Sequence, residues 1–236
     1  MALLASLSSP TTLGPDCLVD NNWLCGAYFS RSRVSLIGDA LVEHVSITVI
    51  SVLLGLLLAF PLALLARRYR KLEWLVVSAT TAIYTVPSLA LFALLLPVAG
   101  ISATNVVIGL VLYSLTILVR NLMEGLRAVP DDVRESAVGM GYGRARLLFG
   151  VELPLALPAI MAGLRVATVS TVALTTVGAI VGYGGLGNLL YDAVSTQFRV
   201  QALTVSLLCV LLAVGLDLLL LGVQRTLTPW TRTRSA

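Results

Sequence analysis

Between Arg120 and Pro158 an otherwise apolar chain turns polar, and the residues there are spaced for docking rather than for catalysis. Glu135, Ser136 and Ala137 are followed after three residues by Gly141, and after nine more by Val151, Glu152, Leu153 and Pro154. Pro130, Asp131 and Asp132 open a helix ahead of them, because proline tolerates the first turn and carboxylates complement the positive N-terminal dipole. Val133, Ala137, Val138 and Met140 offer apolar contacts, while Ser136, Gly139, Gly141 and Gly143 keep the surface small. A short helix of this kind seats in a groove of another protein, with Glu135 and arginines at its rim; the competing reading is an ordinary amphipathic loop. A second set, Thr168, Thr171 and Thr175, recurs at helical spacing. Their hydroxyls either replace part of the hydration of a passing solute or hydrogen-bond between helices.

Other chemistries lack their residues. The chain has one lysine, Lys71, preceded by Arg70, so no phosphate-cradling G-x4-G-K-[ST] loop exists. One histidine, His44, leaves little for a metal site or a Ser-His-Asp triad, and it reads as interfacial packing. No G-x-S-x-G nucleophile elbow occurs. No metal site is expected. Asp217, the carboxylate inside an apolar span, is expected to reach the interface or to pair with an arginine, and Arg165 to snorkel to the inner surface. A gradient-driven carrier would therefore lack the charges it normally uses.

These residues need a scaffold, and the composition says where it sits. Of 236 residues 58% are hydrophobic and only 12% charged, which leaves a soluble domain too little to face water. The formal charge of +4 comes from arginines spread over segment ends without a basic block, which argues against nucleic acid. A crossing takes about 20 apolar residues. Val45–Ala66 makes the first. The uncharged run Trp74–Val119 makes the second and third, divided at Pro97-Val98-Ala99-Gly100. Pro158–Val181 makes the fourth, ending in Gly182, Tyr183, Gly184, Gly185 and Gly187 as a loop or re-entrant turn, with Pro154 and Pro158 breaking the chain before it. Val200 to about Val223 makes the fifth.

With the N-terminus outside, 13 basic residues fall on or beside cytoplasmic segments and 3 outside, so the C-terminus and the Glu135 block are expected in the cytoplasm. Met1–Pro10 lacks a positive n-region, so the first span is expected to direct insertion. Residues 1–40 read as an extracytoplasmic tail whose end, Ser35–His44, lies on the outer surface before turning inward. Cys17 and Cys25 lie in that tail, where a disulfide is permitted, although two free thiols remain open. Residues 41–225 read as one transmembrane domain with a cytoplasmic loop at 120–158, and 226–236 as a cytoplasmic tail.

The Glu135–Pro154 spacing resembles the EAA signature, E-A-A-x3-G-x9-I-x-L-P, of permease subunits of ATP-binding-cassette importers, with Ser136 and Val151 as replacements. Tyr84-Thr85-Val86-Pro87-Ser88-Leu89-Ala90, Gly125–Pro130 and Gly178–Gly187 look like the osmoprotectant branch of that family. The resemblance implies an all-α membrane protein with five transmembrane helices and the type I importer (MetI-like) fold, in a bacterial inner or plasma membrane. It implies a transport subunit without enzymatic activity, for glycine betaine, choline, carnitine or proline; another small solute such as an amino acid, or a secondary carrier, is the alternative. It further implies an ATPase dimer that holds ATP and Mg and docks on Glu135, Ser136, Ala137, Gly141, Leu153 and Pro154. The remaining partners are a second permease subunit, identical or paralogous, an extracytoplasmic solute-binding protein and membrane lipid. Tyr84, Ser88, Thr168, Thr171 and Thr175 become candidates for the translocation path, and Gly182, Tyr183, Gly184 and Gly185 for a gate. Tyr84, Tyr183 and Tyr191 have faces that suit a quaternary ammonium, and Gly178-x3-Gly182 permits a close helix seam.

Overall fold

The computed structural model describes residues 16–230. The reading of Met1–Pro10 and the arginines at 232 and 234 lie outside the described residues. A short α1 (Asp16–Val19) and a 3-10 turn (Gly26–Tyr28) lead into α2 (Arg31–Arg68). Cys17 and Cys25 are joined as a disulfide. At 38 residues, α2 is about 57 Å long, nearly twice the hydrocarbon thickness. The expected inward turn after Ser35–His44 is absent. Gly38 is the weakest helix former there and no proline interrupts, so the helix runs unbroken through position 40 into the first crossing.

The second crossing differs more. α3 (Arg70–Thr85) and α4 (Ser88–Ala99) meet at a bend of 102°. Pro87 cannot donate a backbone hydrogen bond, and it forces Val86 into an extended conformation (φ −67°, ψ 129°), which ends α3. The carbonyl of Val86 is taken up by the Tyr113 hydroxyl of the next helix. The break at Pro97–Gly100 is also present, with Gly100 at φ +63° closing α4. Four described helices are long and apolar enough to cross a bilayer, and the bent pair passes the same test of length and composition only when its two halves are taken together.

α5 (Ala103–Arg127) starts at Ser102, whose side chain caps the Asn105 N–H. After α6 (Asp131–Gly139) and α7 (Arg144–Leu147), a π-helical stretch at Leu148–Glu152 runs into α8 (Leu153–Val177). The prolines therefore do not break the chain. Pro154 is in the first turn of α8, and the carbonyl it cannot satisfy, that of Gly150, lies in the widened π turn. A 3-10 turn (Gly178–Val181), α9 (Leu186–Ser195) and α10 (Arg199–Leu227) complete the described chain.

The core is a three-helix pack. Ala59, Ala63 and Ala66 of α2 meet Leu115, Leu118, Val119, Leu122, Met123 and Leu126 of α5, closed by Ala156, Ile160 and Ala167 of α8. The small stripe on α2 lets α5 approach closely, as membrane packing requires. In the most apolar window of α5 67% of residues are buried, against 6% in α10, so α5 is the axle and α10 a rim helix. Asp217 and Arg165 fasten that rim: the guanidinium Nε and Nη2 donate to the two carboxylate oxygens at 2.8 and 2.7 Å. The expected pairing of Asp217 is the observed one, and Arg165 spends its charge on it rather than snorkelling.

Candidate functional site: the short polar helix and its anchorage

α6 follows α5 after a turn at Ala128, Val129 and Pro130, with Val129 tucked into the main core. Asp131 and Asp132 occupy its first turn, and it closes through Gly141 at φ +85°, a conformation glycine adopts without strain. Tyr142 then donates its N–H to the Ala137 carbonyl at 3.1 Å, which turns the chain back toward the membrane. Glu135, Ser136 and Gly141 are exposed, as are Val138 (57%) and Met140 (70%), whereas Ala137 is buried at 2%. The exposed side thus combines the carboxylates of Asp131, Asp132 and Glu135 with two large apolar side chains, a surface that gains by being covered. Leu153 packs against the core cluster, and Pro154 is half-buried beside it. These two anchor the helix's return to the membrane rather than sit on its exposed tip.

The inward face is held by a charge cluster that motif spacing did not single out. Glu152 is buried at 4%. Arg67, at the inner end of α2, donates to both its carboxylate oxygens at 2.8 and 2.5 Å, and Arg134 of α6 donates through Nε at 2.9 Å. Arg134 also reaches the Leu126 carbonyl at the end of α5 (2.6 Å) and Asp131 (2.5 Å). A buried carboxylate is costly unless paired and fully hydrogen-bonded, and two guanidinium forks meet both conditions. Consequently α6 is tied to α2, α5 and the start of α8 together. A carboxylate inside the V-E-L-P segment, with arginines at the ends of neighbouring helices, was the available signal.

The expected path residues separate into two groups. Thr168, Thr171 and Thr175 are buried at 6%, 2% and 0%, and each hydroxyl donates to the carbonyl one turn back at 2.7–2.8 Å. Thr175 also meets the Thr48 hydroxyl of α2 at 3.3 Å. Of the three, Thr175 is the one bonded to another helix, while the bonds of Thr168 and Thr171 stay within α8. Tyr84 and Ser88 flank the Pro87 bend. Tyr84 is 46% exposed, and its ring stands edge-on to Tyr113 with centroids 5.8 Å apart. Ser88 lines a groove of about 410 Å³ together with Leu89, Thr176, Ile180 and Tyr191.

The expected gate is an ordered turn. Gly182 (φ +80°) and Gly185 (φ +55°) are left-handed, and the Gly184 N–H donates to Asn188 Oδ1 at 3.0 Å. His44 is more than interfacial packing. Its ring is fully buried between the Gly184 carbonyl (3.2 Å) and that of Val172 (3.1 Å), and its one N–H donates to one of them, so it packs the turn against α2 and α8.

The family model for binding-protein-dependent transport system inner membrane components matches residues 51–233. The chain belongs to that family. It is a multi-pass inner-membrane transport subunit, and not an enzyme. The glycine betaine/carnitine/choline transport system permease OpuCD of Bacillus subtilis (strain 168) is 36% identical over 205 residues, covering 86% of this chain and 89% of the relative. The osmoprotectant import permease OsmW of Salmonella typhimurium is 35% identical over 207 residues, covering 86% and 96%. Among solved structures, an inward-facing form of the MetNI methionine ABC transporter matches with a TM-score of 0.75 at 20% identity, covering 85% of this chain and all of that one. The permease therefore has the fold of ABC importer transmembrane subunits, and ATP hydrolysis belongs to a separate subunit of such systems.

Proposed function

We propose that this permease is half of the membrane pathway of an ATP-driven importer for a compatible solute of the glycine betaine, choline, carnitine or proline type. The observation that carries the coupling role is α6 itself: Glu135, Ser136, Val138 and Met140 face outward, while Arg134, buried Glu152 and Arg67 lock the opposite face to the membrane helices. An ATPase dimer, with ATP and Mg in its own sites, docks on that outer face. Five crossings with exposed apolar sides on α2, α4 and α10 are too few to enclose a gated path, so two permease subunits pair, identical or paralogous. The 13-to-3 distribution of basic residues supports a cytoplasmic α6 and an outside, disulfide-bonded tail, on the side where oxidation is allowed and a solute-binding protein delivers its cargo. The names of the relatives, which include a choline transport system permease OpuBD 35% identical over 209 residues, support the solute class. Substrate selection within that class rests with the binding protein.

The test is a crosslink combined with an uptake assay. Ser136→Cys and Met140→Cys are expected to crosslink to the ATPase, and Gly141→Val, which strains the φ +85° position, to leave ATP hydrolysis running while uptake falls. Absence of any crosslink, together with full uptake by Gly141→Val, would remove the coupling assignment.

A further inference from the structure

α2 and α8 run in opposite directions through the core and are pinned to each other at both ends. At the inner end the carboxylate of Glu152, at the start of α8, holds Arg67 of α2 by two hydrogen bonds, and the same carboxylate holds Arg134 of α6. About 35 Å away along α2, at 1.5 Å per residue, the buried ring of His44 contacts the carbonyls of Val172 in α8 and Gly184 in the outer turn. Between the pins Thr48 meets Thr175, and Ala59, Ala63 and Ala66 are buried at 0% against the core. Close-packed interiors transmit displacement instead of absorbing it, and Pro61 leaves α2 continuous.

We infer that α2 and α8 act as one transmission strut between α6 and the outer glycine turn, with Glu152 and His44 as the positioning residues that pin it. This rests on α6 being the ATPase contact. When the ATPases draw α6 across, Arg134 pulls Glu152 and Glu152 pulls Arg67, so α2 cannot lag behind α8. At the far end His44 carries the Gly184 backbone with α2, and Tyr183 beside it moves in step with the nucleotide cycle. Without Glu152 the ATPase would move α6 and α8 while α2 slipped. Without His44 the strut would move and the turn would not follow.

The experiment uses the complete transporter, with its ATPase and binding protein, in proteoliposomes. Tyr183→Cys in a Cys209→Ser background is labelled from outside with an impermeant maleimide, with and without vanadate-trapped nucleotide, and trapped nucleotide is counted in parallel. Trapping is expected to change the labelling rate of this reporter. Adding Glu152→Gln or His44→Leu is expected to leave the trapped nucleotide unchanged while the labelling response falls about tenfold, the scale of one lost charge-assisted hydrogen bond. His44→Gln, which keeps a donor, should restore part of it. An undiminished response in Glu152→Gln and His44→Leu overturns the strut. Loss of trapped nucleotide in either variant also overturns it, because the residue would then serve assembly instead of transmission. A reporter that ignores nucleotide without these substitutions, or traps none, sinks the ATPase reading beneath it.

Discussion

Alanine at Gly182 and at Gly185 should give very different proteins, although both glycines are left-handed and only three positions apart. Gly182 sits at φ +80°, ψ 3°, with open space where a methyl group would go. An alanine there pays only the left-handed penalty, about 1–2 kcal/mol. Gly185 sits at φ +55°, ψ −118°, and a methyl would come 2.6 Å from the backbone nitrogen and 2.7 Å from the Cα of His44. The backbone region costs about 1–3 kcal/mol and the forced overlap about 1–3 kcal/mol more. α2 cannot step aside, because the buried His44 ring beside that backbone is wedged between the Gly184 and Val172 carbonyls, with one N–H to donate between them. Paired thermal melts by fluorescence-detected size exclusion in one detergent read the difference. At about 2–4 °C per kcal/mol for a domain of this size, Gly182→Ala lowers the midpoint by a few degrees and Gly185→Ala by about 10 °C. Detergent melts are irreversible, so the ranking within the pair is the quantity that counts. Equal midpoints for the two variants would refute the clasp between α2 and the turn.

Three further outcomes follow from contacts elsewhere. Asp217→Asn should loosen α10 and lower the folded yield, whereas the double change Arg165→Leu with Asp217→Leu should recover it, since an apolar pair replaces an ion pair without leaving a charge behind; yields by size exclusion check both. Tyr113→Phe removes the donor that satisfies the Val86 carbonyl at the 102° bend and should destabilise by about 1–3 kcal/mol, read as a lowered melting midpoint. Cys17→Ser should cost about 2–3 kcal/mol of the loop-closure term and speed tryptic cleavage at Arg31 and Arg33; reductant should do the same to the unsubstituted protein and nothing further to the variant.

The apolar segments and the short helix at Glu135 were legible because both are local. Uncharged runs of about 20 residues mark the apolar segments, and the fixed offsets from Glu135 to Pro154 mark one helix and its return. What depended on long-range partners was not legible. Thr168, Thr171 and Thr175 have helical spacing that sequence alone can see, but their burial, and the Thr48 hydroxyl beside Thr175, depend on helices distant in sequence. Pro87 reads as part of a long uncharged run, yet the extended conformation it imposes on Val86, whose carbonyl Tyr113 takes up, is enough to bend the crossing. Pro154 and Pro158 read as breaks, yet a π turn upstream absorbs the first and the helix continues. Glu152 lay inside the quoted motif at one of its variable positions. Its role appears once Arg67, 85 positions away, and Arg134, 18 away, arrive on it.

The most direct measurement of the central claim is solute uptake into proteoliposomes holding this permease, its ATPase and its binding protein. Labelled glycine betaine should accumulate when ATP is supplied on the α6 side and stop when it is withheld, whatever sodium or proton gradient is imposed. Accumulation driven by such a gradient with the ATPase omitted would contradict the account.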